Sequence, residues 1–161
     1  MNVNRSQQEE FSIRAAIPSD LEGLLKLYPQ LNPSDEEISL DLAASRLDAI
    51  KQIPGSGVLL GLLGTELVAS CTLIVIPNLT RGGKPYALIE NVVTDARHRG
   101  QGYGTRILHA AAKAAWDAGC YKVMLLTGSK QPSTLKFYEN AGFEQSKTGF
   151  QMRRMSARQD A

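Results

Sequence analysis

Residues 90–105, Glu90-Asn91-Val92-Val93-Thr94-Asp95-Ala96-Arg97-His98-Arg99-Gly100-Gln101-Gly102-Tyr103-Gly104-Thr105, constrain the fold more than any other stretch of the chain. An apolar strand pattern over 86–94 runs into a turn holding Gly100, Gly102 and Gly104, and strong helix formers then fill 105–118 until Gly119 stops them. A helix entered in this way offers first-turn amides without intrahelical partners and the positive end of its dipole. Glycines let an anion approach that backbone with no Cβ in the way. Strand, anion-binding turn and helix must therefore follow one another, with Arg97, Arg99 and Arg106 adding positive charge nearby.

Spacing separates the chemistries that use such a turn. A dinucleotide fold wants GxGxxG and an acidic residue at the end of the next strand, whereas the glycines here run GxGxG and the next strand pattern, 121–127, has no acid. A P-loop is excluded because no Gly-Lys-Ser/Thr follows. The remaining reading without function is a purely structural turn.

The rest of the chain supplies the layers. Residues 11–17 alternate as a strand, and Pro18-Ser19-Asp20 makes a turn and cap before Leu21, Leu24, Leu25 and Leu27. A second helix is predicted from Ser34, as cap of Asp35-Glu36-Glu37, to the stop at Pro54-Gly55. Residues 58–63 and 67–76 form a hairpin across Gly64-Thr65-Glu66, and 77–85 is an exposed connection carrying Arg81 and Lys84. In the helix after the glycines, Ile107, Leu108, Ala111, Ala115 and Trp116 are candidates for the buried face. A strand at 121–127, a short helix at 132–140 and one or two final strands from 143 to about 155 complete the order. The expected class is α/β (α+β): one domain with a mixed, mostly antiparallel central sheet flanked by helices. Residues 1–10 are a polar leader, 11–155 the domain and 156–161 a polar tail.

Composition narrows the partners. With 161 residues the chain suits one domain, and 43% hydrophobic residues with a net charge of +2 describe a globular protein with no dense basic arm for nucleic acid. Cys71 and Cys120 sit in apolar stretches without metal-ligand or CxxC spacing, so they read as reduced core residues, His98 and His109 have no ligand partners at useful spacing, and no metal is expected. The polar start and the lack of any long apolar run argue against export or membrane insertion, leaving the cytoplasm.

Two blocks carry a family resemblance. Arg99-Gly100-Gln101-Gly102-Tyr103-Gly104 matches the R/Q-x-x-G-x-G/A signature of GNAT acetyltransferases, between fourth strand and third helix as that family requires. Phe137-Tyr138-Glu139-Asn140-Ala141-Gly142-Phe143 resembles the FYxxxGF element that closes the family's acetyl-CoA site. The resemblance, which spans 11–155, implies an acetyl-CoA-dependent N-acetyltransferase in which an amine attacks the thioester directly in a ternary complex. It places the coenzyme A pyrophosphate, with Arg99 and Gly100, on the backbone of Gln101, Gly102, Tyr103, Gly104 and Thr105. The pantetheine arm would run along a bulge at Val92, Val93 and Thr94, with the Val92 amide donating to the thioester carbonyl. Where the family often has asparagine seven residues before the tyrosine, this chain has Gln131 followed by Pro132, and Ser133 or Thr134 stands in reach as a substitute.

Two side chains are candidates for the chemistry. Tyr138 matches the family tyrosine that donates to the departing thiolate, against the alternative that it packs beside Phe137. Glu90 stands where family members carry a base, working directly or through water, against the alternative of a strand charge facing solvent. The segments 89–91, 119–122 and 150–154 look similar to glucosamine-6-phosphate N-acetyltransferases, and Phe143-Glu144-Gln145-Ser146 to aminoalkylphosphonate acetyltransferases. Both acceptor classes pair an amine with a phosphate-like anion that Arg81, Lys84, Arg153 or Arg154 could bind. Two further readings stand open: a homodimer with 148–155 at the contact, and a non-catalytic acyl-CoA sensor on the same fold.

Overall fold

The structure is a computed structural model and describes residues 10–155; the rest of the leader and the tail lie outside the described residues. Five strands form one sheet in chain order: β1 (Phe11–Ala15), β2 (Gly57–Leu63), β3 (Glu66–Ile76), β4 (Tyr86–Thr94) and β5 (Val123–Leu125). Neighbours from β1 to β4 are antiparallel, as the tight turn at Gly64-Thr65 dictates for β2 and β3. The β4–β5 pair is parallel because a helix lies between them in sequence. The mixed, mostly antiparallel sheet flanked by helices is therefore as expected.

Alternation along the strands builds a core on each face. On one, α3 (Tyr103–Asp117) sets Ile107, Leu108, Ala111 and Ala115, all fully buried, against Ala69, Cys71, Leu73, Ala87 and Ile89. Each large side chain buried there contributes about 1.5–3 kcal/mol. On the other, α1 (Leu21–Leu27) and α2 (Leu40–Lys51) set Leu21, Leu24, Ala43 and Leu47 over Val58 and Leu60. The last helix, α4 (Pro132–Asn140), packs on the α3 side, its Phe137 and Tyr138 against the first core. Cys71 and Cys120 are buried and unpaired. Among the described residues no helix is long and apolar enough to cross a membrane.

Three expectations need correction. The second helix begins at Leu40, not near Ser34: Ser39 is the cap, its hydroxyl accepting from Leu42 N at 3.2 Å. Ser34 is instead captured by the buried Asn32, whose Oδ1 accepts both its hydroxyl (2.9 Å) and its amide (3.3 Å), and Asn32 precedes a proline that disfavours helix there. Trp116 is 52% exposed and outside the core, which Ala115 fills instead. The final strands do not form among the described residues: 143–155 has none, and β5 is only Val123–Leu125 within the expected 121–127. Alternation over 148–153 lacks the paired edge that a ladder requires, and Phe150 and Met152 are almost wholly exposed.

One irregularity shapes the site. Thr72 pairs with Glu90 and Ser70 with Val93, so Asn91 and Val92 of β4 together face Cys71 of β3. This is a bulge, and Asn91 takes the left-handed conformation it needs (φ +52°), which asparagine tolerates better than most residues. Pairing between β4 and β5 ends at Ile89 and Leu125, so beyond it the two strands part.

Candidate active site

The glycine turn delivers α3 with its first amides unpaired among the described residues. Gly102 is the cap residue, at φ +83°, and no side chain caps the helix. The first helical bond is Arg106 N to Gly102 O at 3.0 Å, leaving the amides of Tyr103, Gly104 and Thr105 directed out of the helix end. Gly104 is needed for close packing: a Cβ there would lie 3.1 Å from the Phe137 ring and 3.1 Å from Thr94 Oγ1. The helix start, the end of β4 and α4 thus converge on one point.

The arginines divide differently from the sequence expectation. Arg97 gives its guanidinium to Asp95 (3.1 Å) and Glu66 (2.8 Å). Arg106 lies over the Phe11 ring, 4.4 Å from its centroid, and bonds Phe11 O at 3.2 Å, while Phe11 stacks on Tyr103 at 4.5 Å. Only Arg99 of the three lines the cleft beside the glycines, held by its Nε on Thr94 O at 3.1 Å. Asp95 caps the short turn after β4, accepting Arg97 N at 2.9 Å. The Arg97 side chain and backbone amide hold its pKa down to about 2.

A cleft of ≈ 740 Å³ opens along the end of β4, beyond its last pair with β5. Of the predicted cofactor residues, Val92, Val93, Thr94, Arg99, Gly100, Gly102, Tyr103, Gly104, Thr105 and Thr134 line it, and so does Tyr138. Gln101 and Gln131 do not line it: both are exposed, and Gln131 is the cap residue of α4 without a side-chain bond. Ser133 lines the cleft, and the Thr134 hydroxyl accepts from Ser129 Oγ at 3.2 Å. The sequence reading missed Gln30 and Leu31, which reach the cleft from the turn after α1, and gave His98, also in the lining, no role. No local pattern marks residues that arrive from so far upstream.

Tyr138 is half-buried between Phe137 and Phe143, with ring centroids at 4.9 and 6.5 Å. Burial, and secondarily the charge of Glu90, raise its pKa above the ordinary 10.0, so its hydroxyl stays a donor at neutral pH. Glu90 is exposed on β4 immediately before the bulge, cross-strand from Thr72 and on the sheet face opposite α3. It is not part of the cleft lining, yet is near enough to act on the tyrosine. His109 bonds the Ala141 carbonyl at 3.0 Å. Of the basic residues considered for an anion, Arg81 stands over Tyr121 (5.6 Å) and Arg153 bonds Gln151, while Lys84 and Arg154 are exposed.

The chain is similar to known proteins in sequence and in fold. The model of the acetyltransferase (GNAT) family matches residues 22–143. The glucosamine 6-phosphate N-acetyltransferase of Trypanosoma brucei brucei is 39% identical over 78 residues, 48% of this chain and 51% of that protein, so the match spans about half its length. Glucosamine 6-phosphate N-acetyltransferase 1 of Oryza sativa subsp. japonica is 28% identical over 140 residues, 84% of this chain and 82% of that one. The solved structure of a protein of Agrobacterium tumefaciens str. C58, assigned to the acetyltransferases, gives a TM-score of 0.83 at 49% identity over 89% of this chain and 99% of that one. The family match takes in the bulge, the glycine turn and the Phe137-to-Phe143 block alike, and the chain belongs to the acetyltransferase (GNAT) family.

Proposed function

We propose that the protein transfers the acetyl group of acetyl-CoA to the primary amine of a small molecule, by direct attack in a ternary complex, and that an amino-sugar phosphate is the acceptor. The observation that carries this reading is that uncapped helix amides and a protonated tyrosine open into one cleft. The uncapped helix end and the Gly104 contact, which leaves no room for a side chain, fit a diphosphate at the mouth. Bound there, acetyl-CoA supplies a thioester carbonyl that a neutral amine can attack.

The chain's residues then have separate tasks. The amides of Tyr103, Gly104 and Thr105, with the Arg99 guanidinium, hold the diphosphate. The bulge at Asn91 and Val92 frees backbone groups of β4 to pair with the pantetheine arm, and the Val92 amide stabilises the carbonyl oxygen as the C–N bond forms. Ser133 and Thr134 take over the contact that Gln131 does not make. Glu90, or a water it polarises, accepts the amine's proton, and Tyr138 gives its proton to the sulfur as the C–S bond breaks. Each proton then has a defined route.

The acceptor class is supported by the names of the relatives, among them glucosamine 6-phosphate N-acetyltransferases. Lys84 and Arg154, whose side chains are exposed and have no ion pair among the described residues, are the candidates for the acceptor's phosphate. The catalytic domain is 11–155, and the reduced, buried Cys71 and Cys120 suit the cytoplasm. No role with nucleic acid, membrane or metal is assigned, and the tail segment 148–155 is the proposed contact of a homodimer.

The test is thiol release from acetyl-CoA against a panel of amines including glucosamine 6-phosphate, aminoalkylphosphonates and peptides. The expected result is turnover with the amino-sugar phosphate, falling roughly 100-fold in kcat in Tyr138→Phe. Tight coenzyme A binding with no release for any amine would contradict the enzyme reading and favour an acyl-CoA sensor.

A further inference from the structure

The turn that feeds the glycines is held from a distance. After α1 the chain makes a single turn, Tyr28–Gln30, and there the Gln30 side chain leaves its own element. Its Oε1 accepts the amide of Ala96 at 2.8 Å, across 66 residues of sequence, and the side chain stands near enough to Asp95 to help hold that carboxyl's pKa down. Asp95 is buried, receives Arg97 through backbone and guanidinium, and its own amide bonds Val68 O at 2.8 Å. His98 N closes the turn on Asp95 O at 2.9 Å, and Arg99 and Gly100 follow directly.

The carboxamide is chemically matched to this place. It combines one acceptor for the Ala96 N–H with a donor for the Asp95 carboxylate, whereas a carboxylate would repel Asp95 and an apolar side chain would leave both unserved. Gln30 is exposed, so its bonds are not a by-product of core packing. Gln30 and Leu31 also line the cleft that holds the glycine turn.

We infer that Gln30 is a positioning residue for cofactor binding: it sets the angle at which β4 hands the chain to the glycine turn, and so the direction of the helix amides. The effect is preorganisation, because a turn already in its binding geometry loses less order when an anion arrives. A second consequence is that the segment after α1 and the glycine turn behave as one body. The inference rests on reading the turn as the diphosphate site.

Its test compares two ligands, coenzyme A and pantetheine, which lacks the phosphates, by the shift of the thermal unfolding midpoint with ligand concentration. Gln30→Met should raise the Kd for coenzyme A about five- to tenfold and leave that for pantetheine unchanged. Gln30→Glu, nearly the same shape, should weaken coenzyme A further because its charge faces Asp95. Unaltered coenzyme A affinity in both variants, or equal losses for the two ligands, would overturn the inference. Wild-type protein that binds coenzyme A no better than pantetheine would refute the diphosphate site itself, a separate result visible before any variant is made.

Discussion

Between Thr94 and Arg106 the chain is tied to β1 through Phe11, to the turn after α1 through Gln30, to Glu66 at the start of β3 and to Val68 within it. Between Phe143 and Met155 the described contacts are local or few: Phe143 N bonds Tyr138 O at 3.1 Å, Arg153 bonds Gln151, and Gly149 lies against Leu126. The two stretches are similar in length and opposite in construction. The glycine turn, which on the proposed reading presents several amides to one ligand, is fixed by bonds from remote segments. The stretch 143–155 instead carries Phe150 and Met152 outside, at 94% and 100% exposure.

The contrast can be broken most strongly at Gly102. A valine forced to φ +83° is strained by about 1–3 kcal/mol, and Gly102→Val should lower coenzyme A affinity more than tenfold, as read by titration. Affinity within twofold of wild type would mean that the turn does not need this geometry.

A smaller effect is expected at Asp95. Its folded-state pKa of about 2 lies below the ordinary 3.8, so its bonds add stability above pH 4 that disappears as the pH falls toward 2. Asp95→Asn should therefore be less stable than wild type at pH 7, and the gap should close by pH 2 in urea midpoints. A pH-independent gap would show that the carboxylate's charge is irrelevant to the turn.

The smallest effect belongs to the other stretch. Phe150→Ser should change the stability of the dilute, separated protomer by less than about 0.5 kcal/mol and leave coenzyme A binding untouched. A dilution-dependent loss of stability in wild type that Phe150→Ser abolishes would support the proposed contact between copies at 148–155, and its absence would contradict that contact.

What could be read from the sequence follows the same division. The glycine turn, α3 and the Phe137-to-Phe143 block are local patterns, since each takes its meaning from residues a few positions apart. A bulge was expected from the resemblance around Val92, Val93 and Thr94, and the register of Thr72 with Glu90 and Ser70 with Val93 places it at Asn91 and Val92. Gln30 was illegible because its partner is 66 positions away. The helix start at Leu40 was misread because Ser34 and Ser39 both have the chemistry of a cap, and only the buried Asn32 decides between them. The arginines near the glycines could be counted in the sequence, but not that Glu66 and Phe11 would take two of them.

The most direct measurement is the crystal structure of the protein with acetyl-CoA bound. The account predicts the diphosphate within hydrogen-bonding distance of the Tyr103, Gly104 and Thr105 amides, and the sulfur beside the Tyr138 hydroxyl. A diphosphate held elsewhere, or a sulfur remote from Tyr138, would contradict it.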